Sequence, residues 1–240
     1  MRLWLSASLG LLLILSACAG PAASTGPAPM PTPMPLVAEL LAAPTLGPHT
    51  LTAMLLVTLE GAALVEGLSL TGAVPEVLGG SGIWLGTALL LPAELSLEGP
   101  DEARYAVVQA SGQLEGPGQY GPDGRYGYQL VAPRVVPQTF RELSLGMLLT
   151  NSGLYTNQPV RLSGSVLATP DSALLADQLG TGGVPAGDAL LLKLDGPLRD
   201  PTVVAQLQPS GDGRVRFGPI TVLGIWRGNQ LHPLIVTNDG

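Results

Sequence analysis

Side chains that commonly carry chemistry are thinly spread along this chain of 240 residues. His49 and His232 are its two histidines, and Cys18 is its single cysteine. A zinc site draws its ligands from clustered His, Cys, Asp or Glu, and neither histidine has such a companion at ligand spacing. Each therefore reads as an isolated surface histidine. A nucleophile elbow needs Gly-x-Ser-x-Gly, which does not occur. GGSGIWLG at 79–86 approaches a dinucleotide fingerprint but carries Leu85 at the third glycine position and leads into a strand pattern. Asp123 in GPDG and Asp212 in SGDG sit in turn sequences, where Asp bonds its own backbone. A calcium loop would need several more carboxylates nearby. These patterns predict no catalytic residue, no metal site and no cofactor, and the chain reads as not an enzyme. An enzyme with an unrecognised, scattered site is the least favoured alternative.

Binding chemistry has one candidate stretch, QLEGPGQYGPDGRYGY at 113–128. Tyr126 and Tyr128 alternate in phase with Leu130 and Ala132, which predicts that both face the core. Tyr120 stands among Gly and Pro and cannot join that stripe. Tyr120 and Arg125 are therefore the candidate contact residues, since tyrosine offers an aromatic face and a hydroxyl at low entropy cost. Trp84 and Trp226, each closing a Gly-Ile-Trp triplet, read as packed core tryptophans.

Charge argues against nucleic acid. Setting Arg2 aside, 10 basic and 18 acidic residues leave a net charge of −8, with Arg214 and Arg216 the only close basic pair. Phosphate recognition needs clustered Lys and Arg. Charged residues are only 12% of the chain, against 46% hydrophobic, with 32 Gly and 23 Pro. That mixture favours many short strands punctuated by turns.

The elements that must position these residues recur. At an offset of 110, residues 62–75 match 172–185 at Ala63, Leu64, Thr71, Gly72, Val74 and Pro75. An offset of 112 pairs Arg104-Tyr105 with Arg216-Phe217, Gly112 with Gly224 and Gly116 with Gly228. An offset of 108 pairs Leu40-Leu41 with Leu148-Leu149. Three blocks in one order indicate a tandem duplication. In the second copy, Thr139 and Glu142 have capping-box spacing, predicting a helix that buries Phe140, Leu143 and Met147 and ends near Gly153. Val160, Leu162, Gly164 and Val166 alternate with polar residues as a strand, and Leu190, Leu192 and Leu194 form another. Asp200-Pro201 opens a short helix through Leu207. Pro219 predicts a bulge in the following strand, and Gly228-Asn229 a hairpin turn. Leu51, Ala53, Leu55 and Val57 share a face in the first copy.

A helix and five strands per copy, with VRLSGSVL at 160–167 and GRVRFGPITVLGIW at 213–226, resemble the strands of bacterial OB-fold proteins. The resemblance implies a mainly β chain of two tandem five-stranded OB-like barrels, each with a short leading helix. β-Sandwich domains are the alternative. In such folds the loop holding Tyr120 and Arg125 borders the ligand groove. Were the copies to pack closely, their shared crevice would also suit a ligand.

The first residues carry an address. Arg2, an apolar run to Leu15 and then Leu-Ser-Ala-Cys make a segment shorter than a membrane span. This ending resembles the lipobox of bacterial lipoproteins, which implies cleavage before Cys18 and lipidation of that cysteine. The boundaries expected are a signal peptide at 1–17, a lipidated Cys and Pro-rich linker at 18–36, and OB-like domains at 37–138 and 139–240. The implied location is the cell envelope, extracytoplasmic and lipid-anchored, with the membrane reached through Cys18. The expected task is non-catalytic binding of an envelope protein or small ligand, without nucleic acid. A structural spacer or assembly component is the alternative.

Overall fold

β-Branched and small apolar residues punctuated by glycine drive about half of the described residues into strands. The computed structural model describes residues 34–87, 91–211 and 213–238. The expected signal peptide, Cys18, the linker through residue 33 and Asp212 lie outside the described residues. A helix α1 (Val37–Ala42) precedes strands β1 (Gly47–Thr58), β2 (Gly61–Ser69), β3 (Glu76–Gly86), β4 (Ala103–Glu115) and β5 (Gln129–Pro137). A short strand β6 (Arg141–Leu143) and helix α2 (Leu145–Thr150) follow. Then come β7 (Pro159–Ala168), β8 (Ala173–Ala176), β9 (Leu191–Lys193), helix α3 (Pro201–Gln206), β10 (Gln208–Pro209), β11 (Arg216–Trp226) and β12 (Leu231–Thr237).

The first five strands close into a barrel. β1 pairs antiparallel with both β2 and β4, β3 adds to β2, and β5 adds to β4. A parallel contact at Trp84 and Gln129 joins β3 to β5 and completes the ring. Leu51, Leu55, Leu64, Ile83, Val108 and Leu114 fill it, all at 0% exposure. The chain is thus mainly β with a closed five-stranded barrel and further strands outside it, the fold class its sequence predicts.

Those further strands follow the same order. β7 pairs with β8 and β11, β8 with β9, and β11 with β12. Beyond β9, a parallel bridge links Leu194 to Leu231, and the Asp195 N–H donates to the Leu231 carbonyl at 2.8 Å. Leu162, Val166, Leu175, Val222 and Trp226 form the interior.

A third apolar cluster lies on the outer faces of both strand groups: Met54, Leu56, Val65 and Val107 from the first, Ile225, Leu234 and Ile235 from the second. β1 is therefore buried on both faces from Leu51 to Leu56, with Thr52 and Met54 inaccessible along with Leu51 and Leu55. β12 runs parallel to β2 at Ile235 and Leu68. Gly67 permits this approach, since a Cβ there would sit 2.8 Å from the Leu234 carbonyl oxygen. Leu36 is buried, and the Met34 N–H donates to Asn157 Oδ1 at 3.2 Å.

Several local expectations need correction. The second helix starts after Ser144, whose Oγ accepts from the Met147 N–H at 3.2 Å, rather than after Thr139. Residues 141–143 are instead drawn into parallel pairing with β7, so the helix buries Leu145 and Leu148 while Met147 is exposed. It ends at Asn151, with φ −118°, followed by a 3-10 turn over Ser152–Tyr155, without a left-handed Gly153. Pro219 stays in register with Ser165. The other edge of β11 is unpaired between Gly218 and Ile220, so a residue lacking an N–H loses no ladder bond there. The β11 irregularity falls at Leu223/Gly224. Leu190 is exposed outside the short β9. As expected, α3 is capped by Asp200, which accepts from the Thr202 and Val203 N–H groups at 2.9 and 3.3 Å, with Pro201 in its first turn.

Candidate functional site

The loop between β4 and β5 folds back as a tight hairpin. Tyr120 and Tyr126 exchange backbone hydrogen bonds at 2.9 and 3.1 Å, and the Gly118 N–H donates to the Gly127 carbonyl at 2.9 Å. Asp123 turns the tip with φ 54° in a short 3-10 segment, which is the turn role its GPDG setting suggests. Gly121, at φ +71°, lets the loop lie flat on the barrel: a Cβ there would be 2.7 Å from the Tyr126 ring and 3.1 Å from that of Trp84.

This closure presses Tyr126 onto Trp84, with ring centroids 5.3 Å apart and planes at 28°. Beside the stack lies a groove of about 140 Å³, floored by Ala63 and Val65 of β2 and flanked by Glu60, Trp84, Arg125 and Tyr126. Burial raises the Tyr126 hydroxyl above its usual titration range, Arg125 beside it opposes that shift, and Glu60 reinforces it. The groove is therefore lined by two aromatic rings, the buried Trp84 and the half-buried Tyr126, with an exposed guanidinium and one carboxylate.

Of the two sequence-predicted contact residues, Arg125 lies at this groove, exposed. Tyr120 does not line it; it packs half-buried against the outer cluster and holds Tyr126 through their backbone bonds. Tyr126 itself corrects the sequence reading. Tyr128 packs on the barrel interior as expected, but Tyr126 lies outside on Trp84, because residues 120–128 are a looped hairpin without strand parity. Ala132, with φ 48°, is exposed as well and breaks the same phase. Trp84 is buried in the outer cluster, while Trp226 is a core residue whose Nε1–H donates to the Ser152 carbonyl at 2.9 Å. Glu60 and Trp84 were missed as groove residues; the signal available was the turn position of one and the edge-facing triplet of the other.

Two further features involve both strand groups. A crevice of about 460 Å³ opens between β1 and β4 on one side and β11 and β12 on the other, with residues 137–142 along it. A buried polar cluster lies where β2 meets β12. His232 is 2% exposed, which corrects its reading as a surface residue: β12 is covered by the first barrel. Its Nδ1 is 2.9 Å from Asp195 Oδ2, and Arg199 forms an ion pair with the buried Glu66. His49 is partly exposed, near the Thr45 carbonyl. Among the described residues no group of three His, Cys, Asp or Glu side chains converges as a metal site, and no helix is long and apolar enough to cross a membrane. No protein-family model, curated protein or solved structure matches this chain.

Proposed function

We propose that this chain is an extracytoplasmic lipoprotein of non-catalytic type, held to the membrane through Cys18, that binds an envelope protein or small envelope ligand with OB-like domains. The observation that carries the binding reading is the Trp84–Tyr126 stack with exposed Arg125 beside it, on a groove between the 116–128 loop and the outer face of β2. Tyrosine and arginine are among the side chains that most often anchor a partner, and here Tyr126 and Arg125 stand together on a buried Trp84. The lipobox-like 15–18 segment supports the anchor. Two acyl chains suffice for stable attachment without a spanning helix.

A second reading, a rigid spacer or assembly component, draws on the joint between the strand groups. There Arg227, beside the β11–β12 turn, makes two hydrogen bonds to Glu39 of α1 at 3.2 and 3.3 Å. Crosslinking with mass spectrometry in the native membrane separates the two. A reproducible partner crosslinked within 113–128, lost in Arg125→Ala and Tyr126→Ala, supports the binding module. Crosslinks solely between copies of this chain would overturn it in favour of the spacer.

A further inference from the structure

The crevice between the strand groups has a chemistry of its own, separate from the groove at Arg125. Its volume of about 460 Å³ lies within the range of roughly 300–1,000 Å³ typical of small-molecule sites. Met54, Val107 and Ile235 make an apolar floor, each 5% exposed or less. Tyr105 and Phe140, half-buried, add two aromatic rings. The mouth carries Glu94, Glu98 and Glu142 against one cation, Arg161.

We infer that this crevice binds a small organic cation: an amine or quaternary ammonium carried on an apolar body. Charge decides between the ligands that the floor alone would accept. An anionic amphiphile such as a fatty acid would bring its carboxylate against three glutamates, and like charges are disfavoured. A neutral apolar molecule would leave the excess negative charge uncompensated. A cation meets both the carboxylates and the negative faces of Tyr105 and Phe140. Glu98 lies close enough to Tyr105 to act on it: burial first, then the charge and hydrogen bonding of Glu98, raise the Tyr105 hydroxyl above its usual titration range. Glu142 is the register partner of Arg161 in the β6–β7 pairing, so the single cation is matched by one glutamate and Glu94 and Glu98 remain in excess among the lining residues.

The test is calorimetric titration of the full chain in lipid nanodiscs, against empty nanodiscs, with three probes that share one body. These are 4-phenylbutylammonium, 4-phenyl-1-butanol and 4-phenylbutanoate. The ammonium should bind about tenfold more tightly than the alcohol, as a cation over aromatic faces does when partly desolvated, and the carboxylate should bind weakest. Glu142→Gln, an exposed change, should weaken the ammonium several-fold and leave the alcohol unaltered. Phe140→Ala should weaken both. Arg125→Ala, in the separate groove, should change neither. Equal affinities, preference for the carboxylate, no binding at millimolar concentration, or loss of ammonium binding in Arg125→Ala would each overturn the assignment.

Discussion

His232 on β12 and Glu66 on β2 face each other across the seam between the strand groups, with Nε2 and Oε1 3.8 Å apart. Both side chains are buried; the Arg199 guanidinium is ion-paired with that same Glu66 oxygen, and His232 Nε2 has no hydrogen-bond partner among the described residues. Asp195 takes the other ring nitrogen. A buried polar pair of this kind couples the two elements that carry it, because loss of one partner leaves the other desolvated.

A double-mutant cycle on His232→Ala and Glu66→Ala should therefore show coupling of about 1 kcal/mol or more in urea unfolding, the scale seen for residues in one polar network. Each single change should destabilise by about 1–3 kcal/mol. Strict additivity would show that the two residues do not sense each other across the seam.

The backbone approach at Gly67 gives a steric test of the same joint. Gly67→Ala would drive a methyl group into the Leu234 carbonyl and should cost about 1–3 kcal/mol, the range for forced overpacking. Gly187→Ala, where a Cβ meets nothing within 4 Å, should be neutral or slightly stabilising. Thermal melts of the two variants side by side check this; equal behaviour would mean that the β2–β12 contact is not tight in solution.

Tyr126 and Tyr105 predict an alkaline signature. Burial raises both hydroxyls, with Glu98 adding to the shift at Tyr105. A group whose folded pKa exceeds its unfolded value contributes stability below the unfolded value, near pH 10 for tyrosine, and loses it as pH rises through the folded one. Unfolding free energy should thus fall above about pH 10, and Tyr126→Phe should shallow that fall. Glu98→Gln should bring the Tyr105 phenolate absorbance on at lower pH. An unchanged alkaline limb in Tyr126→Phe would remove Tyr126 from this account.

The anchor is tested by Cys18→Ser. Cells fed a labelled fatty acid should tag the parent chain and not the variant, and the variant should leave the membrane fraction. Retention of the variant in membranes at parental level would contradict lipid anchoring through Cys18.

Much of the architecture was legible because the repeated blocks fall on equivalent elements. Ala63-Leu64 and Ala173-Leu174 lie in β2 and β8, each the second strand of its group, and Leu40-Leu41 and Leu148-Leu149 lie in the two leading helices. Gly112 of β4 and Gly224 of β11 both sit at register irregularities. What pattern reasoning missed lies where two surfaces meet. His232 and Trp84 have the local sequence of exposed or interior strand residues, and only the packing of one strand group on the other determines their surroundings. Tyr126 was misplaced for a different reason: period-two alternation holds only while the backbone stays extended, and the Asp123 turn interrupts it. Arg125 is exposed at the groove, where a cation in a Gly-rich hairpin has few apolar neighbours to bury it.

Met34 sits at the seam itself. Met34 is held on one side by its bond to Asn157, just ahead of β7, and on the other by the amide of Gln109 in β4, whose Nε2 lies 3.4 Å from the Met34 sulfur. Arg227 then grips α1 from the second group. A pulling force arriving through the preceding residues would load both groups in parallel instead of peeling one strand from an edge. Mechanical resistance of that kind depends on bonds that must fail together.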